Sequence, residues 1–181
     1  MGSEGITISN DILSSLEMRA EYDPLTETYN RNAADANIRE YLRLHPDDRA
    51  AIVMIEVTDI RSINESYGHH VGDMVLRAAA RLIERYLGID CIMGRNSGAQ
   101  FILLLNERGD DKIESIIEKI ASAKRVLEYD GKSYEYAFSI GYCLYPSQGI
   151  LLHDLAAKAF KAMESSGGKC VNYDPTAQVG L

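Results

Sequence analysis

Between residues 51 and 57 the chain reads Ala-Ile-Val-Met-Ile-Glu-Val, an apolar run with one charge near its end. A strand covered by side chains and central in its sheet has this pattern. Over 71–87 the rhythm changes. Val75, Ala79, Leu82, Ile83 and Tyr86 recur at helical spacing while Arg77, Arg81 and Glu84 share another side, which predicts an amphipathic helix. Ile12, Leu13, Leu16 and Ala20 follow a capping Ser9-Asn10-Asp11 and predict an earlier helix that Asp23-Pro24 ends, because a proline disfavours helical backbone in the residue before it. Further helices are predicted over 31–43, around Ile113, Ile116, Ile117 and Ile120, and over 151–163. Stretches 91–94 and 100–105 read as two short strands joined by Arg95-Asn96-Ser97-Gly98-Ala99, a hairpin signal. Residues 134–144 have the aromatic and β-branched content of one strand after an Asp130-Gly131 turn, and 170–173 read as a short edge strand. Strands and helices alternate but a hairpin interrupts them, so the expected class is α+β: a central, mostly antiparallel sheet flanked by helices.

Composition adds exclusions rather than chemistry. The 181 residues suffice for one domain with a real core, and hydrophobic (46%) and charged (25%) fractions are ordinary for a globular protein. No apolar run approaches the roughly 18–20 residues that span a bilayer, and no signal-peptide pattern is present. Cys91, Cys143 and Cys170 are widely spaced, so neither a zinc site nor a disulfide framework is indicated and a reducing, cytoplasmic setting is expected. A net charge of −8 argues against nucleic acid as a partner, since a phosphate backbone needs a basic face. Met1-Gly2-Ser3 resembles a tag remnant running straight into a helical pattern, which suggests a piece of a longer protein.

Four separated stretches carry a resemblance. Asp23-Pro24-Leu25-Thr26 with Asn30-Arg31 is similar to an opening D-x-L-T-x-x-x-N-R signature. Ile63-Asn64-Glu65-Ser66-Tyr67-Gly68-His69 with Gly72-Asp73 resembles I-N-D-x-Y-G-H-x-x-G-D, the most specific of the four. Gly94-Arg95-Asn96-Ser97-Gly98-Ala99-Gln100-Phe101 stands where R-x-G-G-D-E-F is expected, and Ser139-Ile140-Gly141 with Tyr145-Pro146 resembles a later S-I-G strand and its exit. In this order and spacing they resemble the GGDEF domain family of diguanylate cyclases. The resemblance implies a nucleotidyl-cyclase, palm-like fold with a ferredoxin-like core. It divides the chain into a tag remnant and connecting helix (1–22), a GGDEF-like domain (23–175) and a tail (176–181).

That family condenses two GTP molecules into cyclic di-GMP across a homodimer. Two Mg²⁺ ions neutralise the triphosphate and activate the hydroxyl, and magnesium takes oxygen ligands, chiefly carboxylates. The resemblance puts those carboxylates at Glu56, Ala99 and Gln100, where this chain keeps one acid of three. Glu56 is thus a vestigial metal position, and the turn Ser97, Gly98, Ala99, Gln100, Phe101 a degenerate signature. Glu164 aligns with a phosphate-contacting lysine and would repel phosphate, and Gly88-Ile89-Asp90-Cys91 lacks the arginine and aspartate of the family's inhibitory site. Asn64 and Asp73 match guanine-reading positions; Asp73 as a helix-dipole partner and Asn64 as a cap for loop amides are the structural alternatives. Arg61 aligns with a phosphate-binding lysine and the backbone of Val57–Ile60 with the loop that cradles phosphates, against a plain surface charge for Arg61, while Arg95 is expected to anchor the turn through salt bridges. His69 and His70 are adjacent, so their side chains are expected to diverge rather than share a metal.

The expectation is therefore a catalytically silent regulatory, interaction or dimerisation module in bacterial signalling, as a homodimer or with another signalling domain. No catalytic residue and no cofactor is assigned, Mg²⁺ entering only with a bound nucleotide, and no membrane segment lies in this stretch. The alternatives are a GTP-binding effector domain without turnover, and a weak cyclase working through Glu56, Asp59 and substrate oxygens around one metal.

Overall fold

A computed structural model describes residues 20–107 and 112–174. The expected helix before Asp23 and the tail lie almost wholly outside them. Among the described residues the order is α1 (Arg31–Leu44), β1 (Ala50–Thr58), α2 (Ile60–Tyr67), α3 (His69–Glu84), β2 (Ile92–Ser97), β3 (Gln100–Asn106), α4 (Ile113–Ser122), β4 (Val126–Tyr129), β5 (Lys132–Glu135), β6 (Ala137–Tyr145), α5 (Leu152–Ser165) and β7 (Cys170–Asn172). The strand order β2-β3-β1-β6-β7 puts the apolar β1 at the centre, antiparallel to β3 and β6, with β7 running parallel to β6 at one edge. The α+β, palm-like expectation holds.

Alternation along β1 divides the interior in two, as the two-residue side-chain period requires. Ala51, Val53, Ile55 and Val57 face a core with α2, α3 and α4, while Ala50, Ile52 and Met54 face a second core with α1 and α5. Fully burying each larger aliphatic side chain contributes about 1.5–3 kcal/mol, so both faces are covered for a reason. On the second face, α5 lies so close to β6 that a Cβ on Gly141 would sit 2.1 Å from the Met163 nitrogen and 2.2 Å from the Ala159 oxygen. Only glycine permits that approach. Burial pushes the Cys143 and Cys170 thiols up to about 11, so neither is a thiolate at neutral pH.

Three expectations need correction. The single strand over 134–144 is two: β5 pairs with β4 as a separate hairpin, and β6 begins after Tyr136, whose amide bonds back to the Arg125 oxygen. The eight-residue α2 was not foreseen. Finally, α3 starts at His69 rather than Val71, which puts no acidic residue in its first turn. Asp73 therefore lies past the end of the helix where a carboxylate interacts best with the dipole.

Candidate functional site

At the end of β1 the chain turns sharply. Asp59 adopts left-handed backbone (φ 68°, ψ 0°) before α2 begins at Ile60, an uncommon conformation for a non-glycine residue that aspartate tolerates better than most. The tip of the β2–β3 hairpin closes on the same point, with the Val57 amide donating to the Ala99 oxygen at 2.9 Å. Between the two lies a cleft of about 700 Å³, bounded by Glu56, Asp59, Ile60, Arg61, Asn64 and Ala99, with Glu65 and His69 also on its wall.

The hairpin is anchored from behind. Arg95 donates twice to the Gly98 oxygen, at 2.9 and 2.7 Å, and pairs with Asp23 at 3.1 Å, both side chains only 18% exposed. Burial alone would raise the Asp23 carboxyl. Hydrogen bonds from the Thr26 amide and hydroxyl, together with the Arg95 guanidinium, outweigh it and hold the group below the usual carboxylate range. The expected salt-bridged role of Arg95 is met, with Asp23 as its partner.

In front of the hairpin the chemistry differs. Gln100 faces Glu56 across the β1–β3 register, and its Nε2 donates to Glu56 Oε1 at 3.2 Å. The Ser97 hydroxyl donates in turn to Gln100 Oε1 at 3.2 Å. Ala99 brings only a methyl group. Among the described residues no three His, Cys, Asp or Glu side chains converge as a metal site would need. One amide-bound carboxylate beside a methyl group does not match the donor set of two magnesium ions.

Of the predicted contacts, the fold brings Asn64, Arg61, Ile60, Glu56 and Ala99 to the cleft, with Gln100 bonded to its wall. Asn64 caps no loop amide: its Oδ1 is buried without a partner, packed so tightly that a Cβ on Gly72 would meet it at 1.9 Å. Arg61 is 92% exposed and pairs with Glu65 at 3.0 Å, the surface-charge alternative. Asp73 is exposed on α3, next to Gly72. Ser97 and Gly98 are exposed at the hairpin's outer end, and Phe101 is fully buried in the core. Glu164 is exposed near the end of α5, and the 88–91 turn keeps Asp90 in left-handed backbone. His69 reaches the cleft while His70 bonds the Tyr129 hydroxyl at 2.8 Å, so the two do diverge. Val57, Thr58, Asp59 and Ile60 of the expected phosphate-cradling stretch all line the cleft, whereas Glu65 was not expected on its wall; the four-residue step from Arg61 to Glu65 is the available signal.

A mostly antiparallel five-stranded sheet with a hairpin beside a helix-initiating cleft defines the palm-like nucleotide-cyclase class. The family model for "Diguanylate cyclase, GGDEF domain" matches residues 20–170, and the chain belongs to the GGDEF domain family, whose activity lies in cyclic di-GMP signalling. It is 30% identical over 149 residues to the bifunctional diguanylate cyclase/cyclic di-GMP phosphodiesterase MucR of Pseudomonas aeruginosa, covering 80% of this chain but 22% of that protein. The GGDEF domain of TpbB (YfiN) from the same organism superposes with a TM-score of 0.76 at 25% identity, covering 84% of this chain and 94% of that one. The coiled coil and GGDEF domain of DgcB from Caulobacter crescentus, solved with c-di-GMP, has a TM-score of 0.80 and 93% coverage of each chain; at 19% identity it shows the fold alone. No helix among the described residues is long and apolar enough to cross a membrane.

Proposed function

We propose that this domain does not make cyclic di-GMP and acts instead as a regulatory, interaction or dimerisation module in cyclic di-GMP signalling. One observation carries the reading: the Gln100 amide bonds the Glu56 carboxylate, and Ala99 supplies no ligand atom beside it. Losing one preorganised electrostatic group typically costs about 10²–10³ in rate. The charge of the cleft supports the same conclusion. Glu56, Asp59 and Glu65 stand against Arg61, three acidic groups to one basic, a formal −2 on the wall. A triphosphate without its metal ions is repelled by such a wall. Incubating the protein with GTP and Mg²⁺ or Mn²⁺ and separating the products by chromatography tests this. The expected trace holds unreacted GTP, and steady cyclic di-GMP formation refutes the proposal.

A second reading, binding of a guanine nucleotide without turnover, has one observation in its favour. Asn64 Oδ1 is buried and unpartnered at the cleft wall, and an orphaned buried acceptor costs free energy that a donor from a ligand would recover after a small side-chain rotation. Calorimetry with GTP and ATP separates the cases. Heat with GTP alone, weakened by Asn64→Ala, supports guanine reading; equal or absent heat with both removes it.

A further inference from the structure

On the other side of the sheet a groove of about 280 Å³ runs between α1 and α5. Its floor is apolar: Ile102 and Leu152 are 7% and 3% exposed, with half-buried Ala156 beside them. Its rim carries Arg31, Arg39 and Asp35 from α1 and Asn96 from β2, with His153 of α5 completing it. Arg39 is held by Asp35 at 2.7 Å, and His153 lies 3.1 Å from its own neighbour Asp154. The Arg31 guanidinium and the Asn96 amide make no side-chain bond with the described protein, so two donors remain unused above an apolar floor.

The sign of this lining sets it apart. Two arginines against one aspartate give +1, where the cleft gives −2 and the whole chain −8. We propose that the α1–α5 groove binds a small organic anion, a flat apolar body bearing one phosphate or carboxylate. The ring lies on Ile102, Leu152 and Ala156, and the anionic group takes charge-assisted hydrogen bonds from Arg31 and the Asn96 amide. The volume, close to the lower end of ordinary ligand pockets at about 300 Å³, fits one ring rather than a dinucleotide. This site lies outside the cleft and is independent of whether the cleft binds anything.

Amide chemical-shift titrations with phenyl phosphate, inorganic phosphate and benzamidine test the assignment. Phenyl phosphate shifts the amides of Asn96, His153 and Ala156 saturably, inorganic phosphate binds more weakly for want of a ring, and benzamidine, the same ring with the opposite charge, leaves them unmoved. Arg31→Ala weakens phenyl phosphate by about tenfold or more, as loss of a charged hydrogen bond should, while the rest of its spectrum stays that of the folded protein. Non-saturating shifts, an equal response to benzamidine or inorganic phosphate, or an unchanged affinity in the folded Arg31→Ala protein each overturn the proposal.

Discussion

The two ends of the β2–β3 hairpin make the most instructive comparison in the molecule. Behind it, Arg95 is tied to Asp23 and to the Gly98 oxygen in a largely buried network. In front, Ala99 and Gln100 occupy the positions where the resemblance implies an acid pair, and the Gln100 amide donates to the Glu56 carboxylate. The rear matches the family's pattern and the front departs from it. Holding the turn in shape and using the turn for chemistry are thus separable tasks, because they rest on different side chains. A hairpin without its ligands still needs its anchor.

Three substitutions should break the scaffold side, and others should leave the front nearly indifferent. The largest effect is expected from Gly141→Ala, whose methyl group meets α5 backbone atoms that cannot swing aside. Overpacking of this kind costs typically 1–3 kcal/mol, occasionally more, and about 3 kcal/mol is expected by denaturant unfolding. Arg95→Ala should cost about 1.5–3 kcal/mol, the usual worth of hydrogen bonds to charged groups in a largely buried setting. Asp23→Asn sharpens this through pH. The folded carboxyl titrates below its ordinary 3.8, so its stabilisation is full above that value and is lost as pH falls through the folded pKa. The stability gap between wild type and Asp23→Asn should therefore narrow as the pH is taken below about 4.

That ordering also separates what was legible in the sequence from what was not. β1 was readable because both its faces are buried and its apolar run is nearly unbroken, and α3 because Val75, Ala79 and Ile83 mark one face. α2 escaped because it is only eight residues long with one buried side chain, Ile63, and because its start depends on left-handed backbone at Asp59, an aspartate that no turn signal accompanies. The β5–β6 break at Tyr136 was hidden because residues on both sides favour strands; a backbone bond to Arg125 decides it, and that contact is tertiary. At the site, residue identity alone put Ala99 and Gln100 where the resemblance implies acids. The Gln100–Glu56 bond and the Asp23–Arg95 pair join residues 44 and 72 positions apart, and only the folded sheet brings them together.

On the front side, Gln100→Ala, which removes the bonds to Glu56 and Ser97, should cost about 0.5–1.5 kcal/mol, because both are long at 3.2 Å and partly exposed. The smallest change is expected for Arg61→Ala. An ion pair with one side chain 92% exposed contributes little in water, and unfolding should move by less than about 0.5 kcal/mol.

The proposal that this cleft does not grip divalent cations is most directly tested by electron paramagnetic resonance of Mn²⁺ titrated into the protein with GTP. The account predicts a spectrum that follows the Mn²⁺–GTP complex alone, unaltered by protein and by Glu56→Gln, whereas the restored Ala99→Asp, Gln100→Glu variant gains a protein-bound signal. A stoichiometric protein-bound Mn²⁺ in the wild type, abolished by Glu56→Gln, would contradict it.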